Sequence, residues 1–190
     1  MAQPPNPKRR SLPLPNWRSG LPEDLLESNG QRLASGHDAA SFRSACSPWR
    51  AAVPFATFGP LLLLPFDPDS DRVGFYYVLE KKVLSKTLTD VHGKVACGSS
   101  CGWLALMDKA ASVMLLNPFA GRAIKLEDMR DVFFYEIVLS APPDAANREC
   151  VAMAMLGCST EVAFCRVGVD SAWTLLDTKL EFSVESIVHC

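Results

Sequence analysis

The chain has 190 residues, 48% of them apolar, and a formal net charge of −2. That length holds one ordinary domain, or a small module with part of a larger one, and the apolar content is enough for a buried core. Acidic and basic residues are interspersed, so charge offers no case for nucleic acid or an anionic membrane surface as a partner.

The first residues, 1–16, are Pro-rich and polar, with a small basic cluster at Lys8, Arg9 and Arg10. They read as a disordered tail, without the apolar stretch of a secretory signal. The cluster is better explained as a solvated charge run than as a nuclear-import patch. The longest aliphatic run, Leu61 to Leu64, lies between Pro60 and Pro65 and is far too short to span a bilayer. These features predict a cytoplasmic or nuclear protein. In such a compartment the seven cysteines should be reduced, as buried or half-buried structural thiols.

Residues 17–55 predict a module of three short helices. Pro22 suits the first helical position, and Glu23 and Asp24 follow where acidic side chains favour the helix dipole. Leu21, Leu25 and Leu33 form a stripe, with Leu26 beside it and Asn29 in its middle. Gly36 is expected to end this helix and Asp38 to cap a second, in which Ala39, Phe42, Ala45 and Cys46 share a face. A third helix is expected with Ser47 as its N-cap and Pro48 as its first residue, to carry Trp49, and to stop before Pro54.

From about residue 56 to the end, helical spacing gives way to short apolar runs bounded by Gly, Pro, Asp and Ser. Strands are predicted at 61–65, 73–79, 94–97, 103–107, 113–117, 122–126, 133–140, 150–156, 161–166, 173–177 and 183–188. So many strands without intervening helices imply antiparallel β structure. A repeat runs through them. GWLALMD, VMLLNP and GRAIKL (102–126) are followed about 48 residues later by CVAMAML, VAFCRV and SAWTLL (150–176), each a strand–turn–strand–turn–strand unit. That period lies near the roughly 50 residues of kelch-type propeller blades.

Chemistry finds little support. Cys97 and Cys101 with His92 could be drawn as a redox pair, half a zinc site, or a nucleophile and base. No second metal-ligand pair follows at the required spacing, and no orienting carboxylate is evident beyond Asp90 or Asp108. The chain is therefore expected to be no enzyme, with no metal and no cofactor. The aromatic residues Trp103, Phe119, Phe133, Phe134, Tyr135 and Trp173 are expected to fill blade cores. Phe119, in NPFAGR, is the strongest candidate among them for touching another molecule.

The helical module resembles an F-box on the positions Leu21-Pro22, Glu23-Asp24, Leu25-Leu26, Leu33, the turn at 36–38, the middle helix at 39–46 and Trp49-Arg50. The remainder resembles the plant F-box-associated propellers of the KIB type. It carries Cys97-Gly98-Ser99 through Gly102-Trp103-Leu104, then Asn117-Pro118-Phe119 through Leu126, then AFCR at 163–166 and AWTLL at 172–176. The resemblance implies an α+β chain: a three-helix F-box, then an antiparallel all-β region of about two to three blades. That would be an incomplete propeller, since closure takes at least four. The chain then reads as a shortened relative of longer proteins, with open sheet edges that invite pairing.

The function implied is substrate recognition within a Skp–cullin–F-box ubiquitin ligase. Leu21, Pro22, Leu25, Leu26, Leu33, Phe42 and Trp49 would dock on the Skp adaptor and, through it, on the cullin. The β domain would hold an unidentified protein target. Asn29 departs from the family pattern, and an amide taken into an apolar interface without partners costs about 1–3 kcal/mol. The rival reading is a decoy or a propeller-type interaction protein outside any ligase.

Overall fold

The computed structural model describes residues 21–33, 35–53, 60–127, 134–143, 149–157, 161–176 and 187. Three helices lead, α1 (Glu23–Gly30), α2 (Gly36–Ser44) and α3 (Ser47–Ala52). Three antiparallel sheets follow. The first holds β1 (Leu61–Leu63), β2 (Arg72–Tyr77) and β3 (Lys82–Thr87). The second holds β4 (Lys94–Ser100), β5 (Trp103–Asp108), β6 (Val113–Asn117) and β7 (Arg122–Lys125). The third holds β8 (Phe134–Leu139), β9 (Val151–Leu156), β10 (Val162–Arg166) and β11 (Thr174–Leu176). Each sheet is a meander in chain order, which is the construction of propeller blades, and the arrangement is that of a partial β-propeller. No helix among the described residues is long and apolar enough to cross a membrane.

The repeat lies where its apolar runs put it: β5–β6–β7 and β9–β10–β11 are the matched units, each preceded by a further strand, β4 or β8. The turns between strands are pinned by local side chains. Asp108 accepts the amides of Ala110 and Ser112, and Asn117 accepts those of Phe119 and Ala120. Asp170 accepts the amide and guanidinium of Arg166 across the last turn.

The second sheet is covered on both faces. Trp103, Ala105, Met107, Val113 and Leu115 pack with the third sheet, through Ile137, Leu139, Ala152, Ala154 and Cys165. Leu104, Leu106 and Leu116 point the other way, against Val73, Phe75 and Tyr77 of the first sheet. Residues alternate faces along a strand, so a strand between two packed sheets has no polar side. This is why β5 is buried from Trp103 through Met107.

β3 was not among the predicted strands. None of its residues is buried, and its only apolar pair, Val83-Leu84, lies between Lys82 and Ser85. Backbone pairing to β2 (Phe75↔Leu84, Tyr76↔Val83) creates it rather than a side-chain pattern. The expected tail at 1–16 lies outside the described residues, as does the expected strand at 183–188 apart from Ile187.

The helix boundaries also differ from expectation. Pro22 is the N-cap of α1, not its first residue, and its carbonyl accepts the amides of Leu25 and Leu26. The helix closes at Gly30, so Leu33 lies beyond it and Gly36 opens α2 instead of ending α1. Ser35, not Asp38, caps α2: its hydroxyl accepts the Asp38 amide at 3.1 Å and donates to the Asp38 carboxylate at 2.9 Å. Helix α3 begins one residue earlier than expected, with Cys46 at the N-cap and Ser47 inside.

Candidate functional site

Two faces of α1 divide the leucines. Leu26 and Gly30, four residues apart, face α3: Leu26 is 3% exposed, and a Cβ on Gly30 would collide with Val53. Leu25 and Asn29, also four apart, face outward. Leu25 is 47% exposed, and the exposed Asn29 donates its amide to the Leu25 carbonyl at 2.8 Å. Asn29 is therefore satisfied within its own helix in the free chain. Leu21 and Leu33 are half-buried and Pro22 is exposed. Phe42 and Trp49 are half-buried and stack on each other with ring centroids 4.5 Å apart. Of the seven residues expected at a partner surface, Leu26 is withdrawn into the core of the module, because the α1–α3 crossing needs an apolar side chain there. The other six keep exposed surface.

The module is fastened to the first sheet at the start of α2. The Gly36 amide donates to Glu80 Oε1 at 2.5 Å, and a Cβ at Gly36 would stand 2.8 Å from the Tyr77 ring. Only glycine lets the helix come this close. The Tyr77 hydroxyl is buried without a hydrogen-bond partner among the described residues. Burial, then Glu80 and Asp38, push its pKa up to about 12, because the phenolate would be both desolvated and repelled.

Phe119 serves the same junction. Its ring meets Phe75 at 5.4 Å and His37 at 6.3 Å, and the Lys86 ammonium stands 5.5 Å from its centroid. It wedges the β6–β7 turn between the first sheet and α2, and so acts as an internal contact. Trp103, Phe134 and Trp173 are buried as expected, with the Trp173 indole donating to the Glu127 carbonyl at 2.8 Å. Tyr135 is exposed, and Phe133 lies outside the described residues.

Between the module and the sheets lies a cavity of about 460 Å³. Its apolar wall includes Leu61, Leu63, Phe75 and Leu104. Arg43 and Arg50 line it from α2 and α3, and Ser99 and Ser100 from the end of β4. The two arginines are interlocked. Arg43 Nη1 donates to the Arg50 carbonyl at 2.9 Å and to the Val53 carbonyl, and Arg50 Nε reaches back to the Arg43 carbonyl at 3.5 Å. Sequence reasoning missed this cavity, since its walls come from segments as far apart as Ala40 and Pro142, which no local pattern joins.

The thiols are held as thiols. Cys97 donates to the Ala105 carbonyl at 3.4 Å, and burial raises its pKa to about 11. Cys150 donates to the Ala141 carbonyl at 3.0 Å and is likewise raised by burial to about 11, and Cys165 to about 12. A thiol so protonated is a poor nucleophile and a poor metal ligand. Cys101 departs from the expectation of burial: it is exposed, on a turn with φ of 55°. His92 is exposed beside Asp71, 3.3 Å away. No three of the described His, Cys, Asp and Glu residues come together as a metal set.

Residues 75–190 match the family model KIB1-4 beta-propeller. No curated protein matches the chain, and no solved structure does.

Proposed function

The chain belongs to the KIB1-4 beta-propeller family, and from that premise we propose that it is a target-recognition subunit of a Skp–cullin–F-box ubiquitin ligase. The propeller is the protein-interaction part and would hold the target. The helices would be the F-box and would dock on the Skp adaptor, which carries the cullin. The chain would perform no chemistry itself and would act in the cytoplasm or nucleus.

One observation carries the helical half of this reading. Leu25 stands in solvent on a helix whose core position is already filled by Leu26. An exposed leucine in a module whose Leu21, Leu33, Phe42 and Trp49 are only half-buried supports a partner surface there. Leu25→Asp should leave the melting temperature nearly unchanged and abolish co-purification with the Skp adaptor. Retention of the adaptor by a folded Leu25→Asp chain would refute this assignment.

A second reading is favoured by Asn29. An interface closing over that helix face would bury an amide whose carbonyl oxygen needs a new partner. A weak adaptor contact would suit a decoy, or an interaction protein outside any ligase. Asn29→Ile separates the two: several-fold tighter adaptor binding supports the docking face, and unchanged binding removes it. Recovery of cullin and ubiquitinated targets supports the receptor, and adaptor alone supports the decoy.

A further inference from the structure

We propose that the free edge of the first sheet takes an added strand, an extended acidic segment of a partner protein that pairs with β3. The occupant carries two acidic residues four apart, which fall beside Lys82 and Lys86, and an apolar residue between them beside Val83. This rests on the reading of the propeller as the part that holds a target, and it names the chemistry of what is held.

Among the described residues β3 ends its sheet, with β2 on one side of its backbone and no strand on the other. From Lys82 to Thr87 every residue is exposed or half-buried, so that other side is open to solvent. A strand carries N–H and C=O groups along both sides, and an open row of them is a template for a further strand. Two large apolar side chains stand exposed at the same place, Leu79 at the β2–β3 turn and Val83 in the strand.

Charge selects the occupant. From Lys81 to Thr89 the chain holds three lysines and no acidic residue, although its net charge is −2. Lys81 and Lys82 are exposed, and neither has an ion-pair partner among the described residues. Glu80, the acid next to them, is turned to the start of α2, where it accepts the Gly36 amide. Lys86 donates to the Phe119 carbonyl at 3.4 Å, which holds its ammonium in place with further donors to spare. Residues two apart share a face of a strand, so Lys82, Leu84 and Lys86 lie on one face and Val83 and Ser85 on the other. A second copy of β3 would set lysine near lysine, and like charges across a strand pair are unfavourable. An acidic strand meets the same lysines as counterions. The edge therefore rejects its own kind and accepts an oppositely charged segment, with the backbone ladder supplying affinity and the side chains supplying selectivity.

The purified full chain is titrated into the fluorescein-labelled peptide TEVLTEV, with binding read by anisotropy. Two control peptides run beside it. TKVLTKV reverses the charge. TEPLPEV keeps the charge, but its prolines cannot donate to a ladder. The expected result is saturable binding of TEVLTEV that weakens as salt is raised, with both controls weaker by at least about tenfold. The double variant Lys81→Glu/Lys82→Glu should weaken TEVLTEV by about tenfold or more. Val83→Asp, at an exposed position, should weaken it as well, which keeps the test valid if the double variant fails to fold. Binding of either control as tight as that of TEVLTEV, binding undiminished in a folded variant, or no binding of TEVLTEV at all would overturn the proposal. The assay contains no adaptor, so its outcome is separate from that of Leu25→Asp.

Discussion

The two faces of the second sheet are packed by different means. Toward the third sheet the core mixes small residues, Ala105, Ala111, Ala152, Ala154, Ala163, Cys97, Cys150 and Cys165, with large ones such as Trp103, Phe134 and Trp173. Toward the first sheet it contains no alanine and no cysteine, only larger side chains such as Phe75, Tyr77, Leu104, Leu106 and Leu116. Small residues let backbones approach. A Cβ on Gly98, at the bulge of β4 between Ala96 and Gly98, would land on the carbonyl oxygen of Ile137 in β8. The first interface thus adds close backbone approach to side-chain packing, and the second rests on side-chain volume. Close packing makes each sensitive to a different substitution.

The largest effect should come from closing that approach. Gly98→Val would force the side chain into the β8 backbone, where no flexible group can yield, and should cost more than about 4 kcal/mol or abolish cooperative unfolding. Urea denaturation followed by circular dichroism measures it. A cost under about 1 kcal/mol would mean the two sheets can separate freely.

On the other face the sensitive quantity is volume. Leu106 is fully buried, and Leu106→Ala should cost about 2–5 kcal/mol in the same experiment. Val83 stands in the row Leu62–Tyr76–Val83 of the first sheet and is 58% exposed, so Val83→Ala should stay within about 0.5 kcal/mol. Equal costs would imply that this row is covered in solution.

The last effect separates the two cores by pH. Among the residues that form them, thiols occur only in the alanine-rich core. Burial holds Cys97 protonated to about pH 11, whereas in the unfolded chain it ionises near its ordinary value of 9.0. The folded state therefore binds more protons in that window. Its stability is complete below about pH 9 and declines as pH rises toward about 11. Cys97→Ala should flatten that decline relative to the wild type. An unchanged slope would show that Cys97 is open to solvent.

Much of this architecture was legible in the residues. Strands β5, β6, β9 and β10 are apolar runs closed by Asp108, Asn117, a turn after Leu156 and Arg166. The 48-residue echo between them announced two similar sheets. The shared outward face of Leu25 and Asn29 was also readable, because helical spacing assigns neighbours to a face, whereas Leu21 and Leu33 fall outside the helix.

What the sequence by itself determined is what depends on neighbours within a few positions: the period of apolar residues, the turn-forming carboxylates and amides, and the break between helical and extended regions. Tertiary structure alone decided which of two adjacent leucines is buried and that the exposed strand β3 exists. It also decided that Phe119 is a wedge and that Arg43 and Arg50 share a cavity with β1 and β4. The physical reason is that burial and pairing are supplied by partners far along the chain. Leu25 and Leu26 are chemically identical, and only the crossing of α3 beneath one of them makes them different.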